Sequence, residues 1–199
     1  MDDHIIVMTK LSNRDKILSA GVQVVHARGF GGASVRDIVQ AAGVPQGSFT
    51  NHFASKEAFG LEVMDIYFQG SIALFKETLL NEALSPLARL SAFLDATIER
   101  SSGDAVCNGC MIGNFAAEAS DSAVIRPHVA ELFGELRRAI TQCLEAAVAA
   151  GEVRADLDCD DLAAFLVTAL QGASLLAKVE RGVEPYQRLK RMTFERLLR

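Results

Sequence analysis

The sequence predicts an all-α protein of about nine helices, an N-terminal three-helix unit followed by a larger helical body. Residues 34–59 place a cap, a turn glycine, a proline and a second cap at the spacing of two short helices and the start of a third. After residue 59, apolar residues recur at helical spacing in one segment after another. The chain contains no strand pattern, internal repeat or low-complexity tract.

The first helix runs from about Asn13, with Ile17, Leu18, Val24 and Val25 turned inward, and ends at Arg28-Gly29. Ser34 caps the second, and Asp37 three positions on completes a capping box. Gly43 ends it, because a left-handed residue after a helix is cheapest as glycine. Pro45 opens the third helix, where Phe49 and Phe53, four apart, share the buried side. Ser55 caps the fourth, which runs from Lys56 toward Leu80 with Gly70 as a weak point. Further helices are expected from Pro86 to about Arg100, from Cys110 to Ala119, from Pro127 to Ala150, from Asp160-Asp161 onward, and from Tyr186 to Leu198.

Two helices joined steeply by a glycine-containing turn form the unit that lays one helix in the DNA major groove. With the phenylalanines inside, Gln46, Ser48, Thr50, Asn51 and His52 fall on or near the open side, where such side chains bond phosphates and base edges. Gly47 permits close backbone approach. Lys56 opposes the dipole of its own helix, which suits a phosphate partner.

The segment from Arg14 to Phe59 resembles the DNA-binding domain of tetracycline-repressor (TetR) family regulators. The resemblance rests on Ser34-Val35-Arg36-Asp37-Ile38, Ala42-Gly43-Val44, Gly47-Ser48-Phe49, His52-Phe53 and Ser55-Lys56-Glu57. It implies a homodimeric transcriptional regulator, mostly of repressor type, released from double-stranded operator DNA by a small molecule. It implies that Arg36 reaches a base edge or phosphate, that Gln46 and Ser48 face the groove, and that His52 and Lys56 hold phosphates. Ser34, Gly47, Thr50 and Asn51 complete the expected DNA-binding set. The sequence departs at Thr50-Asn51, where the family usually carries aromatic residues against the backbone. The expected organisation is an arm over 1–11, a helix-turn-helix domain over 12–55, and a ligand-sensing and dimerisation domain over 56–199. A narrower resemblance, carried by Asn108-Gly109-Cys110-Met111-Ile112-Gly113-Asn114-Phe115 and Leu176-Ala177-Lys178, is to the branch that answers N-ethylmaleimide-type electrophiles and acrylate.

The net charge is −5, so no general basic surface argues for DNA. Its placement is uneven: residues 1–60 hold six Lys/Arg against five Asp/Glu, and residues 61–199 fourteen against twenty. DNA contact then depends on local placement and dimerisation. No apolar run approaches the ~18 residues of a membrane span. Ile5-Ile6-Val7-Met8 is too short for a signal-peptide core. The expectation is a cytoplasmic protein with no membrane partner, its four cysteines kept as thiols.

Cys107-Asn-Gly-Cys110 is a C-x-x-C pair. No further ligands lie nearby to complete a zinc site, and no strand-to-helix context supports a thioredoxin-type centre, so neither metal nor cofactor is expected. Cys110 lies at a helix start, where the positive dipole end favours thiolate. It reads either as a sensor thiol or as a small buried hydrophobe. Lys178 either snorkels at a helix end or projects toward a pocket and the Cys110 thiolate. Asn114 and Gln171 either satisfy backbone groups or orient a ligand. The helix from Leu162 is apolar nearly all round, so one face suits the body and the other a second subunit, with Gly172, Ala173 and Ser174 permitting close approach. The function expected is a ligand- or electrophile-released regulator and not an enzyme. The alternatives are release without thiol chemistry, and a C-x-x-C redox protein.

Overall fold

The computed structural model describes residues 11–199, with the side chains of residues 104 and 105 left aside. The expected arm over 1–11 lies outside the described residues except for Leu11, which is exposed. The described residues form nine α-helices and no strand: α1 (Asn13–Arg28), α2 (Val35–Ala41), α3 (Ser48–His52), α4 (Lys56–Glu77), α5 (Pro86–Arg100), α6 (Met111–Glu118), α7 (Ile125–Ala149), α8 (Cys159–Glu180) and α9 (Glu184–Met192). A 3₁₀ turn, Gly103–Cys107, precedes α6 where sequence suggested only a loop at 101–104, and a π-helical turn, Thr193–Leu197, replaces the expected end of α9.

The N-terminal unit follows from its caps. Ser12 and Ser34 each accept the backbone N–H three residues on, and Asp15 and Asp37 answer back, so α1 and α2 begin with complete capping boxes. Gly43 takes φ +62 while Val44 N–H donates to Val39 O at 3.2 Å, the left-handed stop expected after α2. Pro45 does not open α3. Residues 45–47 form a turn instead, with Ser48 N–H donating to Pro45 O at 2.9 Å, and regular α geometry starts only at Ser48. Phe49, Phe53 and Phe59 pack with ring centroids 5.1–5.2 Å apart and bind α3 to the start of α4. Aromatic pairs in such geometry contribute about 0.5–1.5 kcal/mol beyond burial. Gly21 lets α1 close on α4, since a Cβ there would fall 2.3 Å from Phe59 Cζ.

In the body, α8 packs against α7 and α9, and α5 against α7. Asp158 caps α8 by accepting from Asp161 N–H. α8 is long and apolar enough to cross a bilayer, with mean hydropathy 1.7 in its 18-residue window, which corrects the expectation that no segment approaches that length. Thr168, Gln171 and Ser174 interrupt its apolar run and hide its overall hydropathy. Ala163, Leu166, Leu170, Ala173 and Ala177 are buried in the body, whereas Phe165, Gly172, Leu175, Leu176 and Val179 are exposed.

Candidate functional site

Two regions carry the chemistry, a polar surface on α2 and α3 and a cavity in the body. On the surface, Arg36, Gln46, Gly47, Thr50, Asn51 and His52 are all exposed. Thr50 Oγ1 donates to Gly47 O at 3.1 Å, tying the exposed turn to the helix behind it. Three expected contact residues are otherwise engaged. Ser34 is the α2 cap, its hydroxyl donating to Asp37 at 2.5 Å. Ser48 is only 8% exposed and faces the core beside Phe49. Lys56 Nζ turns inward, donating to Phe30 O at 2.6 Å and lying 4.6 Å from the Phe30 ring centroid, and burial lowers its pKa. The dipole argument overlooked a nearer acceptor, since the α1–α2 loop supplies a carbonyl within reach.

The cavity, about 230 Å³, lies among α1, α4–α8 and α9. Phe68, Phe75 and Phe93 supply apolar wall, with successive ring centroids 6.0 Å apart. His26, Tyr67, Cys110, Gln171 and Ser174 supply polar groups. A few oriented polar groups in an apolar cavity is the usual composition of a small-molecule site.

Cys110 is the N-cap of α6 and lines this cavity. Burial pushes its thiol up. The Gly113 and Ile112 backbone N–H groups and the Gln171 side chain oppose that rise without overcoming it. The expectation that the helix start would favour thiolate is therefore corrected, because desolvation outweighs the dipole here. Gln171 is brought to Cys110 as a cavity residue. Asn114 instead donates from Nδ2 to Asn108 O at 3.0 Å and fixes the preceding loop. Lys178 does not line the cavity; its Cδ packs 3.6 Å from where a Cβ on Gly109 would sit. Cys107 also lies off the cavity wall, with Arg181 Nη1 donating to its Sγ at 2.5 Å. All four cysteines are free thiols, and no cluster of three or more His, Cys, Asp or Glu suited to a metal occurs among the described residues.

Sequence reasoning passed over His26, Tyr67 and Glu118. His26 Nε2 lies 2.8 Å from Gly109 O, and its ring meets that of Tyr67 edge-on at 5.3 Å. Glu118, at the far end of α6, accepts from Gly31 N–H at 2.7 Å. Phe30, between the two, stacks on Phe115 at 4.8 Å. These contacts run from the body to α1 and to the loop ahead of α2. No local signal in the sequence marks them, because each joins residues far apart in the chain.

Residues 17–63 match the family model for bacterial regulatory proteins of the tetR family, and residues 86–193 match that for the tetracyclin repressor-like C-terminal domain. The HTH-type transcriptional repressor DhaR of Mycobacterium sp. (strain GP1) is 38% identical over 192 residues, 96% of this chain and 95% of that protein. The transcriptional regulator AcuR of Cereibacter sphaeroides is 33% identical over 183 residues, 90% of this chain and 82% of that one. Among solved structures, the reduced form of E. coli NemR superposes with a TM-score of 0.79 at 27% identity, covering 89% of this chain and 94% of that one. A cysteine mutant of the regulator CifR in complex with 26-bp double-strand operator DNA superposes with a TM-score of 0.78 at 26% identity, covering 92% and 97%. With both halves matched, and an all-helical architecture shared with these structures, the chain belongs to the TetR family of DNA-binding, ligand-responsive transcriptional regulators.

Proposed function

We propose that the chain is a homodimeric cytoplasmic repressor that leaves its operator when a small molecule or reactive electrophile occupies the cavity beside Cys110, and that it carries out no catalysis. The observation that carries this reading is the place of Cys110. It lines the cavity and starts α6, whose other end holds the loop ahead of α2 through Glu118. A NemR structure described as its reduced form and a CifR cysteine mutant on operator DNA, both similar to this chain, fit a role for thiols, as does the Gln171 side chain beside Cys110. The division into a DNA-binding domain over 12–55 and a sensing and dimerisation domain over 56–199 belongs to the same proposal. So does the assignment of Arg36, Gln46, Gly47, Thr50, Asn51 and His52 to DNA.

The test begins with selection of the operator from a random duplex pool by the purified dimer. The complex is then titrated with N-ethylmaleimide and with acrylate in the parent and in Cys110→Ser. Release by N-ethylmaleimide that disappears in Cys110→Ser supports thiol sensing. Full release in the variant removes Cys110 as the sensor. The elevated thiol pKa favours a second reading, a noncovalent ligand held by the same polar wall. Release by acrylate, undiminished in Cys110→Ser, would select it.

A further inference from the structure

One peptide unit in the body is held from both sides. The Gly109 carbonyl accepts from His26 Nε2 at 2.8 Å, and the N–H of the same peptide, on Cys110, donates to Ser174 Oγ at 3.0 Å. A carbonyl only accepts, so His26 carries its proton on Nε2. Gly109 stands at φ +67, a backbone setting that glycine adopts without strain. This peptide therefore bridges α1, the first helix of the DNA-binding unit, to α8. It does so at the residue that lines the cavity and starts α6.

Among the described residues, His26 is the one cavity-lining side chain that comes from α1–α3. α4 also runs from the cavity, at Tyr67 and Phe68, to α3, where Phe59 packs on Phe49, and α6 reaches the loop ahead of α2 through Glu118. His26 differs in that it belongs to the DNA-binding unit itself and bonds the Gly109–Cys110 peptide of the cavity wall. Its ring is also positioned by Tyr67 at 5.3 Å, another cavity residue.

We propose that His26 is the positioning residue through which the DNA-binding unit reads the occupancy of the cavity. Its hydrogen bond to Gly109 holds α1 in the operator-competent setting, and an occupant beside Cys110 displaces the Gly109–Cys110 peptide and breaks that bond. The inference rests on the reading that filling this cavity lowers operator affinity. A ligand acts only through its differential affinity for the two settings, and this bond exists in one of them. Removing it should weaken the unoccupied protein toward its occupied level and leave the occupant little further to do.

The experiment uses the full-length dimer with Cys107→Ser and Cys159→Ser, as parent, His26→Leu and His26→Gln. Gln retains a donor for the Gly109 carbonyl. N-ethylmaleimide is the probe. The Cys110 sulfur forms a bond to one alkene carbon, the alkene electron pair moves to its neighbour, and that carbon takes the thiol proton, so no oxidant is needed. Peptide mapping by mass spectrometry confirms the adduct, and operator affinity is measured with and without it.

Unmodified His26→Leu is expected to bind operator about five- to tenfold more weakly than the parent, the scale of one hydrogen bond. Its further loss on modification should fall below twofold, and His26→Gln should restore both values. Melting temperature controls for the fold. Equal fold-losses on modification in parent and His26→Leu would overturn the role of His26 while leaving ligand release intact. An adduct that leaves parent affinity unchanged, or a Cys110 that does not react, would sink the thiol reading. The unmodified affinities then still decide: His26→Leu binding like the parent, or His26→Gln failing to restore a loss, overturns the inference.

Discussion

Glu118 accepts the backbone N–H of Gly31 at 2.7 Å, so the last residue of α6 caps the loop that leads into α2. The fit is close, since a Cβ on Gly29 would fall 2.3 Å from the Glu118 carboxylate, and Gly29 itself stands at φ +78. Glu118→Ala should release that N–H to water, cost about 0.5–1.5 kcal/mol in urea denaturation, and weaken operator binding several-fold. Glu118→Gln keeps an acceptor and should recover much of both. Parent-like operator affinity in Glu118→Ala would show that the reader does not depend on this cap.

Arg36 is exposed on α2, and Lys56 is not free in the same way. Arg36→Ala is expected to cost about 1–3 kcal/mol on the selected operator and to relax discrimination at one base position, if it reads a base edge. Lys56→Ala should act through the loop. Loss of its bond to Phe30 O and its place over the Phe30 ring should lower the melting temperature and weaken all duplexes alike, with little change in the slope of affinity against salt. A slope reduced by one phosphate contact would instead return Lys56 to the DNA.

The α8 face carrying Phe165, Gly172, Leu175 and Val179 follows the 3–4 spacing of a helix seam, with Leu175 65% exposed and Val179 71% exposed. A Cβ on Gly172 would meet nothing within 4 Å in the single chain. Gly172→Phe should therefore leave the subunit folded, with unchanged helical circular dichroism, and block close pairing with a second copy. Sedimentation is expected to show a shift to monomer together with loss of operator binding. An unaltered dimer would place the interface on another face.

Burial pushes the Cys143 thiol from 9.0 to about 11. The folded chain thus holds this proton more tightly than the unfolded chain. Its contribution to stability is complete below about pH 9 and is lost as the pH rises through 11. Urea midpoints should fall between pH 8.5 and 11, and Cys143→Ala should reduce that fall. Equal pH slopes in parent and variant would assign the loss to other groups.

What the sequence made legible was local. Ser34-x-x-Asp37, Ser55 and Gly43 act within four residues of themselves, and α2 and the start of α4 stand where those residues predict them. The start of α3 was misjudged because Pro45 permits a helix without requiring one. Cys110 was correctly set at a helix start, but its ionisation depends on the burial created by α8 and α4, which no spacing reveals. His26 follows Val25 near the end of α1 and acquires its role only because the chain returns with Gly109.

Gln171 and Ser174 turn toward the cavity, while Gly172 and Leu175, each one residue along, turn away from the body. In a dimer paired through α8, the wall of one binding site is thus also the backing of its twin. A molecule that entered one subunit would then press on the helix against which the other subunit is built. Such a shared wall couples the two sites energetically, and an inducer titration of the dimer with a Hill coefficient other than 1 is the expected sign of it.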